Sequence, residues 1–307
     1  MRTLHNIKLV VGLVMLLLFV VLAIFGPSFA PYEEDYSKKI KYVQTDEGEQ
    51  LRAAPFPPSK EHVFGTDKWG YDILTLMLYG AKYTVFASIA VAIIRVIIGG
   101  FFGMYHGLQK KEHQWTPRVT VLSGIPPFVI IYFVMIGINI QPSVGTMSLV
   151  LFQCMLMIIL GIPGVYQVVL AKTIEIRESP FVLASQTVGG NKIHIVKEHI
   201  FPTLKGNLLL ILVNEVILVL NLIGQLAIFN LFFGGTELQV SPTIYLSITN
   251  EWAGLIGQSR LAYYSAKWII GFPLLGYLLF LFSLYLLANG LKENQREKYQ
   301  RNVYLQR

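Results

Sequence analysis

One cysteine, Cys154, stands in the whole chain, and it falls inside an apolar run. A disulfide framework and a cysteine-based metal site are both excluded. Charge is scarce as well, at 14% of the 307 residues against 54% hydrophobic. Such a chain is no ordinary soluble domain; it reads as a polytopic helical membrane protein with a single membrane domain. A phosphate-cradling loop is also missing, because Gly189-Gly190-Asn191-Lys192 lacks the G-x-x-x-x-G-K-[ST] spacing. There is no H-E-x-x-H, no G-x-S-x-G and no carboxylate cluster within the apolar runs. No catalytic constellation remains, so an enzyme is not expected and nothing asks for a cofactor. His106 and His113, without a ligating carboxylate pattern, read as part of a solvated loop and not as a metal site.

What is present is apolar length. The expected class is an all-α polytopic membrane protein with six transmembrane helices. The runs are 9–26, 81–105, 119–138, 145–170, 207–233 and 268–288. The division is a cytoplasmic N-terminus (1–8), a first transmembrane helix (9–27), a polar extracytoplasmic loop (28–80), a core of five further spans (81–289) and a charged cytoplasmic tail (290–307). A signal peptide is the alternative for the first run, with Ser28-Phe29-Ala30 imitating a cleavage site. The run exceeds the usual signal core and Pro31 would follow the cut, so an uncleaved span is expected. Pro126-Pro127 is expected to kink the third span.

Polar residues inside the runs are few. Arg95 lies in the second span, where it is costly unless it faces protein or water; snorkelling, pairing with a neighbouring helix and a pathway role are all open. Gly99, Gly100 and Gly103 suit close helix approach. In the fifth span Asn214, Asn221 and Gln225 fall on one helical face, with Glu215 beside it. That face belongs at a helix–helix interface or along an aqueous pathway.

The polar interval 171–206 organises the second half. Ser179-Pro180 can start a short helix over 181–188, and Gly189-Gly190 supplies the positive φ angles of a tight turn. A second helical piece over 192–200 is expected to end before Pro202. Such a helix–turn–helix between two spans has the form of a docking element. Phe181, Leu183, Ala184, Ser185, Gly189, Gly190, Ile200 and Pro202 are its candidate residues.

Ala184-Ser185, Gly189 and Ile200-Phe201-Pro202 resemble the cytoplasmic EAA loop of ABC-importer permeases. Leu183 stands where the acidic residue would be, and Ser185 replaces the second alanine. A second segment is more specific. Gly65-Thr66-Asp67, Gly70, Asp72, Leu74 and Tyr79-Gly80-Ala81 resemble the stretch before the second span in oligopeptide, dipeptide and nickel importers, in the permease usually encoded second of the pair. Those relatives have Arg where Tyr71 stands. Read alone, the segment is a turn followed by a helix capped by Asp72. Asn250 to Arg260, then Trp268 and Pro273, resemble a third segment of the same group, although Trp252 also suits an interfacial anchor.

The resemblance implies the type I ABC importer permease fold and a definite set of partners. These are a sibling permease subunit, two cytoplasmic ATPase subunits and an extracytoplasmic solute-binding protein, all at the membrane lipid. The cargo would be peptides or a related small solute. The 181–190 helix and turn would sit in an ATPase cleft. Topology is an independent reading. The short loops on the N-terminal side carry Lys110, Lys111, Arg118, Lys172, Arg177, Lys192, Lys197 and Lys205, which places both termini and the 171–206 loop in the cytoplasm. That distribution explains the net charge of +7 without nucleic acid. Two other classes stay open: an ion-coupled secondary transporter using Arg95 and Glu215, and a non-transporting scaffold.

Overall fold

The computed structural model describes residues 2–45, 48–109, 124–189 and 191–304. Lys110, Lys111, His113, Arg118, the start of the third span (119–123) and Gly190 lie outside the described residues. The helices are α1 (Arg2–Phe29), α2 (Ile73–Gly107), α3 (Pro127–Asn139), α4 (Thr146–Arg177), α5 (Pro180–Thr187), α6 (Lys192–Ile195), α7 (Phe201–Ile228), α8 (Trp252–Gln258) and α9 (Lys267–Tyr304). Among the described residues five helices are long and apolar enough to cross a membrane: α1, α2, α4, α7 with the turn before it, and α9. The sixth apolar helix, α3, has 13 residues. At 1.5 Å per residue that is ~20 Å, short of a ~30 Å hydrocarbon core.

Two antiparallel hairpins join the helices. β1 (Ile40–Thr45) pairs with β2 (Gly48–Ala53), and β3 (Thr236–Val240) pairs with β4 (Thr243–Ser247). The long loop after α1 therefore has more structure than its prolines and mixed charges suggest. Backbone groups in a loop need partners, and a hairpin supplies them locally.

Small residues bring the helices together. A Cβ at Gly99 would lie 2.9 Å from Val165 Cβ, and one at Gly103 would lie 2.7 Å from the Tyr166 carbonyl oxygen. These two glycines seat α2 on α4, whereas Gly100 meets only Leu208 Cδ2 at 3.7 Å. Gly12 of α1 packs against the α9 backbone at Leu287, and Gly290 of α9 packs against Leu9. The first helix is thus part of the bundle. One core runs through α1, α2, α3, α4, α7, α8 and α9, and a second, smaller one gathers Val165, Val169, Ile176, Val182, Ile195, Ile200 and Leu204.

Several expected boundaries move. Helix α2 begins at Ile73, well before the apolar run, and α4 continues to Arg177 through the first part of the expected loop. Pro126 and Pro127 start α3 instead of kinking a longer span. Pro163 and Pro273 lie inside helices. Pro202 does not end a helix. The chain passes from α6 through a π turn, Val196–Ile200, directly into α7. Proline is tolerated in a first turn, where its missing N–H is not needed. Thr203 Oγ1 donates to the His199 carbonyl at 2.7 Å and gives that carbonyl a partner.

Candidate functional site

The 171–206 interval builds a short helix on a firm base. Ser179 stops α4 and starts α5: its Oγ donates to the Ile176 carbonyl, while its own carbonyl accepts from the N–H groups of Val182 and Leu183. Val182 is fully buried in the small core and anchors α5 against α4 and the π turn. Apolar side chains on either flank of Val182 stay partly open, with the Phe181 ring 6.0 Å from that of His199. Phe181 is 49% exposed, Leu183 48% and Val188, just after the helix, 90%. Ala184 is exposed and Ser185 half-buried. Gly189 has φ +87° and nothing within 4 Å of an added Cβ, so the turn and not a close approach calls for glycine there. Ile200 is fully buried under this platform, while Pro202 is exposed.

The platform is tied to the bundle. Arg177 Nη1 donates to the Gly107 carbonyl at 3.0 Å and to the Gln109 carbonyl at 2.5 Å, clipping the end of α4 to the end of α2. On its other side α6, the π turn and α7 form one continuous helical path.

At the far end of α2 the Gly65–Asp72 segment is a hydrogen-bonded knot. Thr66 Oγ1 accepts from Phe56 N at 2.8 Å. Asp67 Oδ1 accepts from Trp69 N and Tyr71 N at 2.8 and 2.9 Å. Asp72 caps α2, its Oδ2 accepting from Thr75 N at 2.8 Å, while its Oδ1 lies 3.0 Å from Nδ1 of buried His62. Gly65 and Gly70 have φ +75° and +85°. A Cβ on Gly70 would fall 2.2 Å from the Lys38 carbonyl oxygen, and one on Gly65 2.7 Å from that of Phe56. Every residue singled out in this segment has a place in the knot. Burial pushes the Asp67 carboxyl up to about 6, although the N–H groups of Tyr71, Trp69 and Gly70 and the charge of Lys68 favour its ionised form.

Sequence reasoning missed what the first turns of α2 pack against. Gly80 of α2 touches the Asn250 carbonyl, and Trp252 N donates to Thr84 Oγ1 at 3.0 Å. Trp252 Nε1 donates to the Met77 carbonyl at 2.9 Å; the residue is buried against Phe19 and Phe280 and is no interfacial anchor. Beside it Glu251 is fully buried and caps α8 through Ala253 N, and burial raises its carboxyl to about 7. An acid directly before a helix start is a local signal for that cap, inside the 250–260 segment that carries the resemblance.

Within the bundle the polar residues separate into two groups. Arg95 and Glu215 are buried, 5% and 8% exposed, and Nη1 of the first donates to Oε2 of the second at 2.9 Å. Asn214, Asn221 and Gln225 are instead exposed on another face of α7 among the described residues. The two groups are not brought together.

Residues 95–300 match the model of the binding-protein-dependent transport system inner membrane component, and residues 2–55 match that of the N-terminal TM domain of oligopeptide transport permease C. The chain is 28% identical over 211 residues to the oligopeptide transport system permease protein OppC of Bacillus subtilis, covering 68% of this chain and 63% of that protein. Against the dipeptide transport system permease protein DppC of the same organism it is 27% identical over 197 residues, covering 64% and 55%. The alignments therefore span about six tenths of these two relatives. A putative peptide transport system permease protein of Brucella suis is 24% identical over 284 residues, covering 92% of this chain and 85% of the relative. With two thirds of its length under one family model, bearing an apolar helical bundle, this chain belongs to the binding-protein-dependent transport system inner membrane component family.

Proposed function

We propose that this chain is one of two permease subunits of an ATP-driven importer for peptides or a related small solute. It forms half of the translocation pathway and works with a sibling permease, two cytoplasmic ATPases and an extracytoplasmic solute-binding protein. The observation that carries this reading is the α5 platform. Phe181, Leu183 and Val188 offer apolar side chains that are half or more exposed, and buried Val182 seats the helix in the core shared by α4 and the α6–π turn–α7 path. An apolar patch on a short, firmly seated helix suits insertion into a protein cleft. The cationic loops favour a cytoplasmic position for it, with both termini on the same side.

The names of the relatives support a peptide cargo. Asn214, Asn221 and Gln225 lie on the side of the pathway or of the sibling subunit in this reading. Amides left against lipid tails are unfavourable, and a polar partner or water relieves them. The Gly65–Asp72 knot frames the outer end of the permease and fixes the start of α2.

ATP-driven closure of the ATPases would pull on α5, and the helices would exchange between inward- and outward-facing packings. A single cysteine at position 185, in a Cys154→Ser background, tests this. The expected result is a crosslink to a co-expressed ATPase that changes with nucleotide. A cysteine that is labelled from the cytoplasm yet gives no adduct would sink the ATPase coupling.

A further inference from the structure

Arg95 makes more contacts than an ion pair requires. Besides Nη1 on Glu215 of α7, its Nε and Nη2 both donate to the Met157 carbonyl of α4, at 3.0 and 2.6 Å. A residue of α2 thus holds α4 and α7 at one point inside the apolar bundle. The neighbourhood is shaped for it. A Cβ added to Gly161 would fall 2.0 Å from Arg95 Nε and 2.2 Å from its guanidinium carbon. Gly161 leaves the gap through which the guanidinium reaches the Met157 carbonyl.

Stability alone does not call for this arrangement. Desolvating two charges offsets most of their attraction, and a well-packed apolar pair of the same volume does about as well. The difference lies in direction. Apolar contacts between helices in lipid allow sliding and rotation, whereas a guanidinium shared between a carboxylate and a carbonyl holds one geometry. Separating the charges in a low-dielectric interior is expensive, so the three helices stay together through a rearrangement.

We propose that Arg95 is a positioning residue for transport, a cross-tie that makes α2, α4 and α7 move as one body when the coupling loop is displaced. The load path is continuous. Helix α5 stands between α4 and the α6–π turn–α7 path; Arg177 clips α4 to α2 at the loop end, and Arg95 does so inside the membrane. Helix α2 then carries the displacement to the Gly65–Asp72 knot at its other end. This inference rests on the importer reading above.

The test uses the full complex in proteoliposomes, with radiolabelled trialanine uptake and ATP hydrolysis measured together. Two variants separate the roles. Arg95→Met with Glu215→Leu replaces the tie by apolar volume. Gly161→Ala keeps both charges but pushes the guanidinium off Met157. Both are expected to assemble and hydrolyse ATP while peptide carried per ATP falls at least about tenfold, with Arg95→Lys giving an intermediate value. An unchanged peptide-to-ATP ratio in the assembled variants overturns the proposal. Loss of assembly in both variants assigns the tie to folding and overturns it as well. If the unaltered complex neither imports trialanine with ATP nor gives a nucleotide-sensitive adduct at position 185, the importer reading itself has failed; a failure confined to the variants touches only the cross-tie.

Discussion

Two glycines on apolar helices make opposite demands. A Cβ at Gly80 would lie 1.8 Å from the Asn250 carbonyl oxygen, while Gly137 has nothing within 4 Å. Gly80→Ala is expected to push α2 off the turn at Asn250, destabilising the chain by about 1–3 kcal/mol. Gly137→Ala should leave stability unchanged or slightly raised. Thermal unfolding of the purified chain in detergent compares them, and equal midpoints would contradict the close approach. Asp67 gives a pH dependence of defined sign. An unfolded aspartate titrates near 4, and the buried carboxyl is pushed up to about 6. The folded chain binds the proton more tightly in that window. Stability from this group is therefore full below about pH 4 and is lost as pH rises through about 6. Hydrogen exchange over 64–72, corrected for intrinsic rates, should show more protection at about pH 5 than at about pH 7.5, and Asp67→Asn should reduce the difference, leaving the part that buried Glu251 contributes.

At the scale of elements, α5 has one residue for its seat and others for its outer face. Val182→Ala removes a fully buried side chain and is expected to loosen α5 at a cost of about 2 kcal/mol, read as faster proteolysis between α4 and α6. Leu183→Ser alters a half-exposed position instead. It should leave proteolysis unchanged and reduce co-purification of the ATPases. The same effect from both variants would mean that seat and contact surface are not separate. The extent of α5 was legible in the sequence almost to the residue, because Ser179-Pro180 and Gly189 are local signals with local causes. Pro202 was misread for the converse reason. A proline stands at a helix start as readily as after a helix end, and Pro202 lies in the first turn of α7, into which the π turn leads.

For the whole molecule, the exposed amide row on α7 makes the strongest demand. Leucine at positions 214, 221 and 225 is expected to leave thermal unfolding of the isolated chain unchanged, since all three are exposed among the described residues. In the complex the same change should lower trialanine uptake by about tenfold or more. Undiminished uptake would take the amides out of the pathway and the subunit interface together.

The sequence by itself determined the class of protein, the apolar runs, the glycine turn after α5 and the Asp72 cap. Each depends on residues within a few positions of one another, through hydrophobic length, positive φ or a side chain bonding its own helix start. Only the tertiary structure decided that Arg95 meets Glu215 and Met157, that Gly161 leaves room for it, and that Trp252 is core rather than anchor. Those partners are 62 to 175 residues apart in the chain. Helical periodicity says which residues share a face, but which face meets which is decided by packing, where small residues let helix backbones close to contact.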